Sequence, residues 1–417
     1  MKHSLRLFYL LLICITTACT KQPAHINTVP ALPQAEWLPA NKILMHTPGD
    51  ELFCGSINPH AGLFEYYFDV DSAALEHEQY ISALQKQGIQ VFTVRNILQN
   101  APIEDLRKLA AEALTYDVNE LSDEQVQQEY RQSILQQMSR NDLIKCILLR
   151  PTVSLKHTYN NTGLEATYTL QPMMNLYFTR DQSITTPKGT VICNMNSSQR
   201  KPETQLLYFC YQQMGITPAL HIQGEGRLEG GDYIPAGHQA FIGCGMRTNI
   251  NAIQQIMDAN AFGHDTIAVV NDYKWWQLQM HLDTYFNVID KDLCTMVESR
   301  YNAQEGDPEW VTVDLYTRTD ATCAYQLTRD EVPFVTYLQE CGYTIIPIKW
   351  EDELHYANNY LTIAPRHIMA VANQSKELEQ ALAEHNVKVE WINLENCIKG
   401  YGAAHCMTQV LARTVVQ

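Results

Sequence analysis

The feature that most constrains the fold is a repeated unit of strand, tight turn, strand, polar loop and helix. In the clearest copy, strands at residues 228–234 and 239–242 flank a turn at 235–238, and residues 252–260 have helical spacing. Similar copies occupy residues 176–213 and 360–385, with turns at 187–189 and 364–367. Such units bury their apolar faces against neighbouring units. The repetition therefore predicts an α/β architecture built from similar modules.

Weaker copies of the unit begin at Leu52 and at Met280, the second with its turn at Asp290, Lys291 and Asp292. Five such units could close around a common centre. Residues 103–149 differ, because stretches 105–114, 123–138 and 141–148 have helical spacing and Ser122 with Gln125 resembles a capping box. We predict a helical insertion at about 103–149, with ordinary helices around the core as the alternative.

The N-terminus resembles the signal sequence of bacterial lipoproteins. Lys2 and Arg6 precede an apolar run at residues 7–15 that is too short to span a bilayer, and small residues at 16–18 precede Cys19. The resemblance implies cleavage before Cys19 and a lipid on its sulfur. We therefore expect a signal peptide at 1–18, a lipid-linked tether at 19–36 and a folded domain at 37–417. The protein would be exported and membrane-anchored, in the periplasm or on the cell surface; secretion without a lipid is the alternative.

Composition limits the function classes. The 417 residues, 46% of them hydrophobic, can bury a large core, and the net charge of -16 argues against nucleic acid as a partner. Twelve cysteines are present, and Cys14 and Cys19 lie in the signal region. The other ten form no C-x-x-C pair, so neither a zinc ribbon nor a thioredoxin-type motif is indicated.

Four short motifs carry the chemistry, at residues 175–181, 229–232, 281–283 and 405–408. Together they supply carboxylates, an imidazole and a thiol. This set suits a planar guanidinium, because carboxylates match its charge, an imidazole can protonate a leaving nitrogen, and a thiol can attack the central carbon. The motifs therefore predict enzyme chemistry on a guanidine.

In this order and spacing, the motifs resemble those of arginine deiminase and, more broadly, the guanidine-modifying enzymes, from about Met45 to Thr408. The resemblance implies a five-bladed, pseudo-symmetric α/β propeller with a helical insertion and an active site on its axis. It also implies hydrolysis of a small-molecule guanidine, L-arginine above all, to L-citrulline and ammonia, without a metal or organic cofactor. The domain at 37–417 would then be catalytic, and assembly into a homo-oligomer stays open.

The resemblance also assigns residues to roles. Cys406 would attack the guanidinium carbon to form a thiouronium intermediate, and His281 would act as general acid and base. Asp181 and Asp283 would hold the guanidinium, and Glu229 would orient His281. The residues expected to contact or surround the substrate are Asn175, Phe178, Arg180, Arg200, Asp232, Arg247 and Tyr401.

Tyr401 departs from the family pattern, which usually has an arginine there to bind the substrate carboxylate. Losing a charge-assisted bond would cost about 1.5–3 kcal/mol unless Lys399 replaces it. Arginine is favoured, while agmatine, methylated arginine and peptidyl arginine remain alternatives. A non-catalytic, membrane-tethered guanidinium-binding protein is a hypothesis of another class, but it has no need of the thiol. A papain-like protease fits less well, because its nucleophile lies early in the chain.

Overall fold

The computed structural model describes residues 28–118, 123–159 and 162–416. Its strands, in chain order, are β1 (Thr28–Ala31), β2 (Ala40–Met45), β3 (Gln90–Thr93), β4 (Thr115–Asp117), β5 (Pro151–His157), β6 (Leu164–Leu170), β7 (Ser183–Thr186), β8 (Gly189–Ile192), β9 (Leu220–His221), β10 (Tyr233–Ala236), β11 (Gln239–Cys244), β12 (Thr266–Asp272), β13 (Phe286–Asp290), β14 (Leu293–Val297), β15 (Val311–Thr317), β16 (Gln326–Pro333), β17 (Thr344–Ile348), β18 (Leu361–Ala364), β19 (His367–Val371), β20 (Lys388–Ile392) and β21 (Gln409–Val416).

The helices, again in chain order, are α1 (Asp50–Ser56), α2 (Val70–Lys86), α3 (Val94–Asn100), α4 (Ile103–Ala113), α5 (Glu124–Gln137), α6 (Arg140–Leu149), α7 (Lys201–Gln213), α8 (Ile250–Asp258), α9 (Leu282–Tyr285), α10 (Glu298–Tyr301), α11 (Phe334–Glu340), α12 (Trp350–Glu353) and α13 (Lys376–Glu384). Short 3-10 helices are formed by Ser198–Arg200, Gly230–Asp232, Gln277–Gln279 and Cys397–Gly400. No helix in these ranges combines the length and apolar character needed to cross a membrane.

Five of the sheets share one strand pattern, in which an antiparallel pair is followed by a third strand parallel to the second. This pattern is seen in β7-β8-β9, β10-β11-β12, β13-β14-β17, β18-β19-β20 and β21-β2-β3. The β10 sheet is extended by β15 and β16, and β1 joins the last sheet beside β21. The α/β architecture is thus confirmed, with the repeat visible as a strand pattern.

The predicted repeats agree with the structure at most of their turns and helices. Asn249 and Ser375 cap α8 and α13 by accepting hydrogen bonds from backbone N–H groups, which places both helix starts.

Several predicted strands were wrong. In the stretch 228–234 only Tyr233 and Ile234 belong to a strand, because Gly230–Asp232 form a 3-10 helix, and the copy predicted to begin at Met280 has its first strand at Phe286. Residues 176–180 form turns, so the strand begins at Ser183, and the copy predicted to begin at Leu52 starts inside helix α1. In the stretch 176–180 the apolar side chains do not alternate along a strand, because Leu176 and Tyr177 are buried in two different hydrophobic clusters and Phe178 lines the cleft described below.

The segment at 103–149 contains helices α4, α5 and α6, whose apolar faces pack with α3 and α7 around Leu106, Leu143 and Leu207, and its being an insertion stays a prediction. It continues past residue 149 into the sheet β4-β5-β6, which the sequence analysis did not anticipate. The proposed capping residue Ser122 lies outside the described residues.

The N-terminal boundary differs from the prediction. Residues 1–27, including the signal peptide and Cys19, lie outside the described residues. From Thr28, however, the chain is part of the fold, because β1 pairs antiparallel with β21. Ala35 forms a bridge with Ala236, and Glu36 is buried. The predicted tether therefore extends no further than residue 27, since a buried carboxylate and a paired strand hold the next residues against the domain.

Candidate active site

The thiol of Cys406 lies at the start of the C-terminal segment, just before β21. The side-chain Oδ1 of Asn359 accepts the Cys406 N–H at 3.1 Å and the Ala403 N–H at 2.9 Å, which fixes the loop that carries the thiol. Gly402 leaves no room for a side chain, because a Cβ there would lie 3.0 Å from Cys406 Sγ. Burial, with the nearby carboxylates of Asp283 and Asp181, raises the pKa of the Cys406 thiol well above its usual value. The resting thiol is therefore protonated.

Asp283, in the first turn of α9, is the carboxylate next to the thiol. Its Oδ2 lies 3.6 Å from Cys406 Sγ and 2.6 Å from His405 Nδ1. Burial acts to raise the pKa of Asp283, but the hydrogen bond and charge of His405 outweigh it, and the pKa is lowered. Asp283 is thus held as a carboxylate in a fully buried position.

His281 immediately precedes α9, and its ring is enclosed. Its Nε2 lies 2.9 Å from Glu229 Oε2, and its Nδ1 lies 3.8 Å from Asp181 Oδ1. A Cβ at Gly231 would lie 2.6 Å from Nδ1, so only glycine allows this approach. Burial alone would lower the pKa of His281, but the carboxylates of Asp181, Glu229 and Asp232 outweigh it and raise the pKa to about 9. The imidazole is therefore cationic at neutral pH.

Glu229 is the buried counter-ion of His281. Burial would raise its pKa, yet Arg247, His281 and Arg200 lower it to about 2. Asp232 plays a different part from the predicted substrate contact. Its Oδ1 accepts the Leu282 N–H at 2.9 Å, between His281 and Asp283, and burial raises its pKa to about 6. Asp232 therefore fixes the backbone that carries both functional side chains, and it does not line the cleft.

Two predicted arginines lie in the cleft wall, each held by carboxylates. Arg200 Nη1 donates to Asp181 Oδ2 at 2.8 Å, and its Nε donates to Glu203 Oε2 at 3.0 Å. Arg247 Nη2 donates to Gln277 Oε1 at 2.9 Å, and its Nη1 lies 3.6 Å from Glu229 Oε2.

The third predicted arginine, Arg180, faces away from the cleft. Its Nη1 lies 3.5 Å from Glu36 Oε1, and its Nε donates to the His405 carbonyl at 3.4 Å. Its role as a substrate contact was therefore wrong, because the side chain points behind the thiol, where Glu36 supplies its counter-charge.

The cleft above the thiol is narrow. It is lined by Leu63, Asn175, Phe178, Asp181, Arg200, Arg247, Gln277, Met280, Gly400, Tyr401 and Cys406. Its volume of about 10 Å³ is room for about one water molecule. Leu63 and Tyr401 both have left-handed backbone conformations, with φ of 61° and 67°, which are uncommon for side chains of this size. A guanidine is larger than this volume, so the cleft has to widen when one enters.

Several buried polar atoms of the site have no hydrogen-bond partner within the described ranges: Asp181 Oδ1, Asp283 Oδ1, Asn175 Oδ1 and His281 Nδ1. Three of these are acceptors. Buried polar groups without partners are rare in folded proteins and cost free energy. A ligand rich in N–H groups would satisfy them.

Asp181, Glu229 and His281 also place ligand atoms within 4.8 Å of one another. Such a set could hold a metal ion in principle. Here the imidazole carries a proton at neutral pH and donates it within the set, which competes with metal ligation. We therefore interpret the three as a proton-bearing network.

Sequence reasoning missed three residues that support the site. Asn359 fixes the thiol loop, His405 bridges two carboxylates, and Glu36 accepts from Arg413 behind them. His405 directly precedes the nucleophile, which was a usable signal. Asn359 and Glu36 lie in segments without a motif, so only the fold brings them to the site.

Comparisons with known proteins agree with this geometry. The model of the arginine deiminase family matches residues 61–413. Arginine deiminase of Halobacterium salinarum is 26% identical, over 91% of this chain and 96% of that protein. Arginine deiminase of Metamycoplasma arthritidis is 28% identical, over 90% and 95%.

Among solved structures, DDAH from Pseudomonas aeruginosa, complexed with citrulline, is similar in fold. Its TM-score is 0.54 at 16% identity, and the match covers 89% of this chain and 99% of that one. At 16% identity, this similarity supports a shared fold and nothing more. The family match spans most of the chain and includes every predicted catalytic residue. This chain belongs to the arginine deiminase family and is an amidinohydrolase.

Proposed function

We propose that this protein hydrolyses a guanidine with release of ammonia, and that L-arginine, giving L-citrulline, is the first substrate to test. The observation that carries the proposal is the set of unpartnered acceptors on Asp181, Asp283 and Asn175 beside a buried thiol. A guanidinium offers five N–H donors in one plane and a carbon open to attack. It matches both the charge and the hydrogen-bonding needs of the site.

Binding would prepare the nucleophile. Burial, and then the carboxylates of Asp283 and Asp181, raise the pKa of the Cys406 thiol. A bound guanidinium would offset the charge of the two carboxylates and so lower that pKa. Asp283 Oδ2, 3.6 Å from Cys406 Sγ, would accept the thiol proton. The substrate thus helps to form the thiolate that attacks it.

The reaction would then proceed in two halves. Cys406 Sγ forms a bond to the guanidinium carbon, and cationic His281 gives its proton to the departing nitrogen, which leaves as ammonia. The product of this half is a thiouronium. Neutral His281 then takes one proton from water, whose oxygen attacks the same carbon. The C–S bond breaks as the remaining hydroxyl proton leaves to solvent, which releases the neutral urea product and the thiolate, and the thiolate takes back its proton from Asp283. Glu229 stabilises the cationic imidazole in both halves.

Agmatine, methylated arginine and peptidyl arginine remain alternative substrates, because Tyr401 occupies the cleft wall where the family usually has a carboxylate-binding arginine. The competing hypothesis is a non-catalytic guanidinium-binding protein. It is weakened because such a protein would need neither the thiol of Cys406 nor the cationic imidazole of His281. Ammonia release from each guanidine distinguishes these cases. The soluble protein should begin near Thr20 so that β1 and Glu36 are kept.

We also propose that the five similar sheets are the blades of a propeller around the site. The support comes from contacts between successive sheets. Strands β21 and β7, β10 and β13, and β18 and β2 contact each other. The Gly230 N–H donates to the Asp181 carbonyl, and Thr362 Oγ1 donates to the Val288 carbonyl, which links the remaining neighbours.

Finally, we propose that the protein is an exported lipoprotein anchored through Cys19, on the strength of the N-terminal sequence. One acyl chain holds a protein weakly, whereas several hold it firmly. Labelled fatty acid should enter the wild type and not Cys19→Ser, and the wild type should fractionate with membranes. A Cys19→Ser protein that stays wholly with membranes would argue against the lipid.

A further inference from the structure

Strand β6 (Leu164–Leu170) forms an exposed edge of the sheet β4-β5-β6. In the described part of the chain it pairs with β5 alone. Five of its seven residues are exposed and none is buried, and the side chains of Tyr168 and Leu170 are 69% and 46% exposed. An exposed edge strand presents unpaired N–H and C=O groups, which can pair with a strand of another chain.

The register of β6 on β5 shows which backbone groups point to the exposed edge. Residue pairs in an antiparallel ladder alternate between hydrogen-bonded and non-bonded pairs. The Thr158 N–H donates to the Gly163 carbonyl at 3.0 Å, so this pair is hydrogen-bonded. The next bonded residues of β6 are therefore Glu165, Thr167 and Thr169. The residues that point their N–H and C=O groups to the exposed edge are Leu164, Ala166, Tyr168 and Leu170.

Pro151 supports this register. It has no N–H and lies opposite Leu170, in a pair that the alternation makes non-bonded. The ladder between the two strands is therefore complete without a donor at Pro151.

None of the usual features that block an edge strand is found on β6. The strand contains no proline, and its pairing with β5 runs without a shift in register. Its one charged side chain, Glu165, has its Oε2 3.4 Å from Lys156 Nζ of β5. The edge strand β16 differs, because it carries three successive charged residues, ends in a proline and has shifts in register. Of these two edges, β6 is the one suited to pairing with another strand.

The outward-pointing residues of β6 are complementary to those of a second copy. When two copies pair antiparallel about Thr167, Leu164 lies opposite Leu170 and Ala166 lies opposite Tyr168. Every outward-pointing residue then meets another, and about eight backbone hydrogen bonds can form. These four side chains share one face of the strand, where the small Ala166 leaves room for the ring of Tyr168.

The charges on the other face also agree with this pairing. Glu165 would lie opposite Thr169, and Thr167 would lie opposite its own copy, so no like charges face each other. The contact is two-fold and uses the β6 edge of each copy once. Such a contact closes at two chains instead of continuing into a fibre.

We propose that two copies of this chain associate through β6 into a two-fold dimer, in which their two three-stranded sheets become one continuous sheet. The second copy is the occupant that the strand's own sequence matches. The inference does not rest on the proposed function, because no residue of β6 lines the cleft.

The test is sedimentation equilibrium of the protein beginning near Thr20, from about 1 μM to about 100 μM. The wild type should show a concentration-dependent dimer. Thr167→Lys places two like charges opposite each other at the two-fold axis, so it should raise the Kd of the dimer by about tenfold or more. Thr167→Glu should do the same. An equimolar mixture of these two variants should restore the dimer, because Lys then faces Glu.

Thr169→Lys is the matched control, since it makes the same substitution two residues away on the same face. Its new charge would face the partner subunit's Glu165, so this variant should dimerise at least as tightly as the wild type. Circular dichroism confirms that each variant is folded.

A wild type that stays monomeric at about 100 μM would overturn the proposal. A Thr167→Lys protein that dimerises like the wild type would also overturn it, because the interface would then lie elsewhere. If the Thr167 variants fail to fold, hydrogen exchange of the wild type decides. Exchange of the peptide at 164–170 should slow as the dimer forms, and exchange that is independent of concentration would overturn the proposal.

Discussion

The imidazole of His405 lies between two buried carboxylates, with its Nδ1 2.6 Å from Asp283 Oδ2 and its Nε2 3.3 Å from Glu36 Oε1. The same Asp283 oxygen lies 3.6 Å from the thiol of Cys406. The charge next to the nucleophile is therefore positioned by a chain of contacts that begins in the N-terminal segment.

This chain predicts that Glu36 acts on catalysis through Asp283. Glu36→Gln should lower kcat by about tenfold with KM changed less, because His405 loses the anion that fixes its orientation while the cleft wall is untouched. Steady-state kinetics with circular dichroism as a folding control measures this. Normal kcat in a folded Glu36→Gln protein would contradict it.

The guanidinium contacts can be tested by neutralising one carboxylate. Asp181→Asn keeps the shape but removes a charge that faces both the cleft and His281. We expect KM to rise by about tenfold to a hundredfold and kcat to fall as well, because the pKa of His281 also drops. Steady-state kinetics on the most active guanidine measures both. An Asp181→Asn protein with the KM and kcat of the wild type would remove Asp181 from the site.

The raised pKa of His281 predicts how the rate of ammonia release falls at alkaline pH. The acid form is required to expel ammonia, and it predominates below a pKa of about 9. The rate of ammonia release should therefore fall as pH rises through about 9. S-methylthiocitrulline is the control, because its thiol leaving group needs less help from an acid and should lose this limb. The same limb with both substrates would contradict the assignment.

Much of this site could be read from the sequence, because Cys406, His281, Glu229, Asp181 and Asp283 lie in short motifs whose chemistry is local. The repeat of strands and turns was readable for a similar reason, since Gly237 and the turn at Asp290 to Asp292 punctuate alternating apolar residues.

What could not be read depends on long-range packing. Arg180 lies in the same motif as Asp181, but backbone turns send adjacent side chains to opposite sides of the thiol loop. Glu36 lies in a proline-containing segment without periodicity. Pairing of β1 with β21, together with the bridge between Ala35 and Ala236, brings it beside His405.

Tyr401 supplies a prediction about the carboxylate. If Tyr401 only removes one charged partner of the substrate carboxylate, free arginine should react with a raised KM, and Tyr401→Arg should lower that KM. If the cleft suits a guanidine without a carboxylate, the wild type should prefer agmatine, and Tyr401→Arg should lose the preference. The ratio of kcat/KM for arginine and agmatine in both proteins decides. Unchanged ratios would show that Tyr401 does not contact the substrate.

His77 predicts how stability depends on pH. Burial, with a smaller effect of His46, lowers the pKa of His77 to about 3, and neither ring nitrogen has a hydrogen-bond partner within the described ranges. In the unfolded chain His77 takes up a proton below about pH 6.5, whereas in the folded protein it does not until about pH 3. The free energy of unfolding should therefore fall by about 2 kcal/mol between pH 7 and pH 5 from this group.

Urea unfolding of the wild type and His77→Leu across that range measures the contribution. The variant should show a shallower decline with falling pH. Parallel curves would mean that His77 titrates normally.

The most direct test of the account is ammonia release by Cys406→Ala, measured beside binding of the guanidine that the wild type turns over fastest. The account predicts turnover reduced to background with binding still detectable, because Asp181 and Asp283 hold the guanidinium and the thiol does not. A Cys406→Ala protein that kept a tenth of the wild-type rate would contradict covalent catalysis by this cysteine.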